Sequence, residues 1–316
     1  MRPLFRGGLA EPVRSIRRSL VGWYARYGRA GLPWRLRRSP YHTLVSEFML
    51  QQTQVDRVVP HFQAFVERFP DFPALAAASP ADVLRAWKGL GYNSRAVRLK
   101  AVADAVVARY GGAMPRETDA LRALPGVGPY TAAAIRAFAF DLDDAPVDTN
   151  VRRIVHRLCF GTEHPAKASA RELDAQARTL APPGKAHDWN SALMDLGATI
   201  CTARTPQCSI CPVRRVCAAA PVDLVTFERQ RRAAVSSARR GGAAVPFEKT
   251  ARYARGRIVD RLRELPPGEC ISLLDLHQSL SPLLPDRSAK DVRTFVTSLE
   301  REGVVSTDGE RVALRE

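Results

Sequence analysis

No stretch of this 316-residue chain reaches the roughly 18 consecutive apolar residues that a membrane-crossing helix needs. The opening segment, MRPLFRGGLAEPVRSIRRSL, holds arginines but lacks the apolar core of a secretory signal. Acid is scarce: 32 Asp and Glu face 48 Lys and Arg, a formal net charge of +16. These absences lead us to expect an intracellular, cytoplasmic protein with no membrane partner. The excess of base points to a polyanion, with nucleic acid ahead of an acidic membrane surface. A basic surface kept for solubility is the plainer alternative.

Cysteine is sparse too, with six in all. In an intracellular chain cysteines argue for metal or chemistry before disulfides. Four crowd into one segment, Cys201, Cys208, Cys211 and Cys217, spaced C-x6-C-x2-C-x5-C. Closely spaced thiolates of this kind suit either an iron–sulfur cluster or zinc. Zinc sites usually show two short-spaced pairs, and this run has only one C-x2-C. Cys159 and Cys270 stand outside the run and read as ordinary buried residues.

The length allows one large or two modest domains. Residues 12 to 218 read as helical, with apolar positions at three and four spacing in VRSIRRSLVGWYARYG, ADVLRAWKGLGY and SRAVRLKAVADAVVARY. His42, His61 and His156 fall within helices and read as structural. After Pro221 the composition turns to Arg, Ser and Gly, which reads as a linker or a poorly ordered arm. Three short helices and an alternating VVSTDGERVAL hairpin then describe a winged-helix-like module. Its helix 287 to 302 could probe DNA through Lys290 and Arg293, with the hairpin as a wing. The same helix carries Asp291, Glu300 and Glu302, so packing on the body or binding a protein is the alternative.

Two stretches carry chemistry. EFMLQQTQV, residues 47 to 55, reads as an amphipathic helix opened by Glu47, with four hydrogen-bonding side chains in its middle. Either it is a polar interface or Glu47 is an isolated acid facing a pocket. In LRALPGVGPYTAAAI, Pro125 ends a helix, Gly126 and Gly128 permit tight geometry, and Thr131 opens an Ala-rich helix. Glycines before a helix N-terminus leave backbone N–H groups free to meet phosphate. A plain helix–turn–helix would use the same residues.

LPGVGPYTAAAI resembles the helix–hairpin–helix of the endonuclease III superfamily of DNA glycosylases. APVDTNVRRIVHR supplies Asp148 where that superfamily carries its catalytic aspartate, and the cysteine run is similar to its [4Fe–4S] loop. LPWR (32 to 35), SEFMLQQTQV (46 to 55) and LGYNSRA (90 to 96) resemble the MutY-type adenine glycosylases, in the same order over roughly residues 15 to 218. The resemblance implies an all-α glycosylase fold with a [4Fe–4S] cluster loop. Residues 1–35 and 147–218 would form the cluster domain and 36–146 a helical barrel carrying the hairpin. A basic linker at 219–250 and the winged-helix-like module at 251–316 would follow, with DNA lying across the cleft between the first two domains.

The implied activity is base-excision repair: hydrolysis of the N-glycosidic bond of adenine mispaired with 8-oxoguanine or guanine. Glu47 would protonate the base, since a neutral leaving group departs more easily than an anion. Asp148 would stabilise the oxocarbenium-like sugar, two carboxyls in opposite protonation states. Tyr130 and Asn150 would organise the sugar side and water. Bifunctional relatives carry a Schiff-base lysine where this chain has Tyr130, and a phenol forms no imine. Arg152 fills another position where some relatives have lysine, so a monofunctional enzyme is expected. Trp34, Arg35, Leu50, Val55 and Ser191 would line the base pocket. Gln52, Thr53, Tyr92, Gly126, Val127, Gly128 and Thr131 would contact DNA, with Tyr92 as the wedge that offsets part of the flipping cost.

The expected partner is double-stranded DNA containing a mismatch, bound by a monomer at the nucleoid, with affinity falling steeply as salt rises. Arg204, Arg214 and Arg215 would face phosphates, and Arg239 and Arg240 would contribute to the salt slope. Three departures bear on specificity. A Nudix-like domain usually follows in this family; here the arginine arm and small module stand instead. Ser191 occupies a position where many adenine enzymes have Gln or Glu, and Asn93 replaces the second tyrosine of the familiar GYY. A thymine or uracil glycosylase acting on G mismatches is therefore the alternative within the enzyme class. A non-catalytic DNA-binding protein is the alternative outside it.

Overall fold

A computed structural model describes residues 10–164, 166–238 and 245–316. Arg239 and Arg240 lie outside the described residues. The contacts divide the chain into two units, Met1–Thr43 with Gly128–Gly242, and Leu44–Val127 with Ala243–Glu316. This division differs from the expected boundaries. It falls at 43/44 and 127/128, and the C-terminal module groups with residues 44–127 instead of standing apart.

The first unit is helical. Ala10–Tyr27 and Thr149–Phe160 pack against Ala186–Thr199, and Ala170–Leu180 packs on Thr149–Phe160. Ile16, Leu20, Val155, Leu158, Trp189 and Leu193 meet in its core. Local chemistry sets the ends of these helices. Asp148 caps one, and Ser169 with Glu172 forms a reciprocal capping box on the next. Arg17 donates to the carbonyls of Leu180 and Ala181 at the C-terminal end of the latter.

Part of the expected linker is a helix, Leu224–Ala238. Asp223 accepts from the Val225 amide at its start. Glu228 pairs with Arg231 and Arg232 one turn on, at 2.7 and 2.8 Å. Buried Phe227 anchors it under the Arg157 guanidinium. The arginine-rich composition hid one apolar anchor and a set of i,i+3 and i,i+4 pairs.

In the second unit, Val55–Arg68, Phe72–Ala77, Pro80–Ala86 and Ser94–Tyr110 enclose Phe62, Phe65, Leu75, Trp87, Leu99 and Val102. Phe65 meets Trp87 edge to face at 5.8 Å. The C-terminal module has winged-helix order: helix Ala251–Arg263, strand Ile271–Ser272, helices Leu273–Leu280 and Ala289–Arg301, then strands Val305–Asp308 and Arg311–Leu314. The last strand is central, pairing antiparallel with both others, and Asp308 faces Arg311 across the hairpin. Gly309 turns the hairpin at φ +60. Among the described residues no helix is long and apolar enough to cross a membrane.

Candidate active site and cluster loop

Glu47 does not open a helix. It lies in the last turn of Pro40–Leu50, half-buried between buried Ser46 and Phe48. Ser39 starts that helix by accepting the His42 amide. The helix stops at Leu50, Gln51–Gln54 turn, and a new helix begins at Val55 with Gln54 as its N-cap. The expected continuous helix is thus broken at the polar block, which has no apolar side to bury. Gln52 adopts φ +56, a left-handed conformation uncommon for a non-glycine residue.

What ends this helix is Arg95, a buried arginine that the sequence reading missed. Its guanidinium donates to the carbonyls of Phe48, Met49 and Gln51, at 2.8, 2.9 and 2.6 Å. It also reaches Thr53 Oγ1 and the carbonyls of Leu90 and Gly91, at 3.3, 3.0 and 3.2 Å. One cation therefore joins the turn at Gln52 to the turn at Tyr92, itself left-handed at φ +44. Burial draws the guanidinium down to about 10, so it stays charged at neutral pH. A sequence signal existed: Arg95 sits one turn before Leu99 on the stripe that continues through Val102 and Val106.

In the other unit, Asp148 is both cap and candidate catalyst. Oδ1 accepts the Val151 amide at 2.7 Å, and Oδ2 accepts Asn150 Nδ2 at 2.8 Å. Asn150 is fixed in turn, since Arg153 donates to its Oδ1 at 2.9 Å. Arg153 also donates to the carbonyls of Gly197 and Cys201, both at 2.9 Å. A continuous series of hydrogen bonds thus runs from Asp148 to the backbone of the first cysteine of the loop. Gly197 allows this closeness: a Cβ there would stand 3.1 Å from Asn150 Cβ and 3.2 Å from Ile154 Cδ1. Arg152 is bidentate on Asp174.

The expected base-pocket residues have varied surroundings. Arg35 is committed to Asp195, with bonds of 2.8 and 3.1 Å. Arg29 holds the same carboxylate through its amide and guanidinium. Burial alone would raise the Asp195 pKa, but the two arginines outweigh it and hold it below the ordinary carboxylate range. Ser191 is fully enclosed, and its hydroxyl finds no partner among the described residues. Trp34, Leu50 and Val55 are half-buried. The three histidines are structural in their contacts: His42 meets Ser39, His61 the Arg57 carbonyl, and His156 bridges the Gly161 carbonyl and the Lys167 amide.

At the hairpin, the helix begins at Pro129 with Gly128 as N-cap, not at Thr131. Gly126 is left-handed at φ +76, and a Cβ there would press on Arg98 at 3.1 Å. Val127 and Thr131 are buried, so this turn offers backbone rather than those side chains. Glu47, Leu50, Gln52, Thr53, Val55, Tyr92, Gly126 and Val127 belong to one unit. Trp34, Arg35, Gly128, Tyr130, Thr131, Asp148, Asn150, Ser191 and the loop cysteines belong to the other.

The four loop cysteines line one small void together with Arg157, Ile200 and Pro206. Among the described residues no three His, Cys, Asp or Glu side chains form a site for a single metal ion. Arg157 donates to Cys201 Sγ at 3.5 Å and to the Thr202 carbonyl at 2.7 Å. Burial pushes the Cys211 thiol up to about 12, so a thiolate there needs a cationic partner. Four sulfurs around a void, with donors beside them, fit a [4Fe–4S] cluster held by Cys201, Cys208, Cys211 and Cys217. Cys159 is buried as expected, whereas Cys270 is only half-buried.

Residues 45–179 match the model of the HhH-GPD superfamily base excision DNA repair proteins, and residues 201–217 match the iron-sulfur binding domain of endonuclease III. An adenine DNA glycosylase of Mycolicibacterium smegmatis is 42% identical over 273 residues, covering 85% of this chain and 87% of that protein. One of Mycobacterium tuberculosis is 41% identical over 247 residues, covering 78% and 77%. A solved thermostable thymine-DNA glycosylase superposes with a TM-score of 0.60 at 31% identity, covering 69% of this chain and 97% of that one. With the helix–hairpin–helix, the capped aspartate and the cysteine loop all in place, this chain belongs to the adenine DNA glycosylase family of the HhH-GPD base-excision repair superfamily.

Proposed function

We propose that this glycosylase removes adenine mispaired with 8-oxoguanine or guanine, leaves an abasic site without cutting the strand, and works as a monomer on mismatched duplex DNA at the nucleoid. The observation that carries the reading is the Asp148 carboxylate, oriented by one donor on each oxygen and backed by Asn150 and Arg153. Each oxygen keeps a further lone-pair direction for the oxocarbenium-like sugar. Glu47 would deliver a proton to the departing base, flanked by buried Phe48 and Met49. Tyr130 and Asn150 would order the sugar side. A tyrosine at 130 and an arginine at 152 committed to Asp174 leave no amine at either position for imine formation. Gln52 and Tyr92, the two turn residues held by Arg95, would enter the duplex where the base leaves. The hairpin backbone around Gly126–Gly128, Thr53, Arg204, Arg214 and Arg215 would meet phosphates. When bound, the cluster would cross-link the loop that presents those arginines.

The test is single-turnover cleavage of A:8-oxoG, A:G, T:G and U:G duplexes, with and without alkali, beside an Asp148→Asn variant. Adenine release that needs alkali for strand scission, and that is lost in the variant, supports the reading. A second reading, removal of thymine or uracil opposite G, is favoured by the enclosed Ser191 and the thymine-DNA glycosylase likeness. Faster cleavage of T:G or U:G would establish it instead.

A further inference from the structure

The Ala251–Arg263 helix of the C-terminal module and the Gly89–Ser94 turn border a cavity of about 580 Å³, with Arg57, Tyr92, Asn93, Phe247, Arg252 and Arg263 among its walls. The Arg252 guanidinium lies 3.9 Å from the centre of the Tyr92 ring and 5.6 Å from that of Phe247. No carboxylate pairs with Arg252 among the described residues, so its cation is given to the aromatic face. Next to it, Arg263 donates to Asn93 Oδ1 at 2.7 Å. That guanidinium is buried and aimed by Asp260 at 2.8 Å and by the Leu84 carbonyl at 2.9 Å. Gly303, at the end of the Ala289–Arg301 helix, seats the module against the helix that follows the turn: a Cβ there would stand 3.3 Å from Val97.

The module's own probe face is differently disposed. Arg293, on the helix that would enter a groove, is paired with Glu310 of the hairpin at 2.6 Å. Asp291 closes that helix's capping box. The module's cation at Arg252 and its buried fork at Arg263 are both turned to this turn, one to the Tyr92 ring and the other to the Asn93 side-chain amide. Asn93, which departs from the family's second tyrosine, is the residue whose amide oxygen Arg263 reaches.

We propose that the C-terminal module acts on the reaction through this turn, with Arg252 and Arg263 as positioning residues that fix the pose of Tyr92 and thereby set which opposite base is tolerated. The inference rests on the reading of Tyr92 as the residue that enters the stack. A non-glycine residue at φ +44 is held against its own preference. Released, it relaxes, and its ring no longer meets the stack in a fixed position. Two contacts from a separate part of the chain add to the restraint that Arg95 places on this turn, one on the ring and one on the neighbouring side chain.

The test uses the full chain with its cluster and the variants Arg252→Met, Arg252→Lys and Arg263→Met. In the DNA-free protein, amide exchange at residues 90 to 94 should accelerate about tenfold in both methionine variants, the scale of one lost charge-assisted contact. Unchanged exchange overturns the proposal whatever the activity. In single turnover, the ratio of adenine release opposite 8-oxoguanine to release opposite guanine should shift about tenfold in Arg252→Met and partly return in Arg252→Lys, with melting and cluster absorbance retained. An unchanged ratio, or an equal loss on every duplex, overturns it. The Tyr92→Leu/Arg252→Met pair should be no worse than Tyr92→Leu alone; additive losses would mean that Arg252 acts elsewhere. If the unaltered protein releases no base from any duplex, the glycosylase reading fails, and the exchange result still decides whether the module holds the turn.

Discussion

Replacing Arg95 by methionine keeps an apolar stem on the buried stripe and removes every donor. Three of the acceptors it satisfies, the carbonyls of Phe48, Met49 and Leu90, are buried. Each stranded acceptor costs about 1–3 kcal/mol. Against this, relaxing the left-handed residues Gln52 and Tyr92 returns about 1–3 kcal/mol each. The net loss should be about 2 kcal/mol, a fall of about 4–8 °C in the melting of this unit. Arg95→Lys should recover less than half, because a point ammonium cannot span two turns as a planar fork does. Calorimetry of the cluster-loaded protein measures the fall, and amide exchange at residues 51 to 54 and 90 to 92 locates it. Because Arg95 remains charged near neutrality, the difference from wild type should be flat between about pH 6 and 8. A melting temperature within about 1 °C of wild type would show that the carbonyls find water or each other. The hub would then be an incidental contact.

Two further outcomes follow from the other unit. Gly197→Ala should push Asn150 and Ile154 by a few tenths of an ångström and lower single-turnover cleavage about tenfold while the cluster absorbance persists, since the new methyl meets Asn150 first; full activity would remove the case for Asn150 as an oriented group. Asp195→Asn should destabilise by about 3 kcal/mol because it strands two arginine charges at a buried position. In the native protein the Asp195 carboxyl is held low, so the unfolded chain protonates first as pH falls. Its stabilisation is complete above the unfolded carboxylate pKa of about 3.9 and is lost as pH drops through the lower folded value. Acid titration of the variant should lack that component, and an identical acid limb would refute the assignment.

Much of this architecture was legible because it is local. The cysteine spacing, the glycines of the hairpin and the Asp308-Gly309 turn each announce themselves within a few residues. The helix-breaking turn after Leu50 was not legible, since its cause is Arg95, more than forty positions away. The same holds for Asp195, whose meaning depends on Arg29 and Arg35, and for Arg153, which joins Asn150 to Gly197 and Cys201. Buried arginines are poorly visible in a basic chain: composition assigns them to the surface, and only a position on an apolar stripe betrays them. The C-terminal module was recognisable by its own pattern. Its attachment to the Tyr92 turn was not, because Arg263 and Asn93 meet across 170 residues of sequence.

The amide of Asn150 has a direction. Arg153 occupies its oxygen, so its nitrogen can only donate, and the partner at 148 can only accept. This makes positions 148, 150, 153 and 197 a linked set in descent. A lineage that exchanges Asn150 for a residue of another polarity must also change what stands at 153, and a larger residue at 197 closes the space in which either change could settle. Single steps away from this combination lead downhill, so neutral drift should spare all four positions together, and any relative that departs at one should depart at a second.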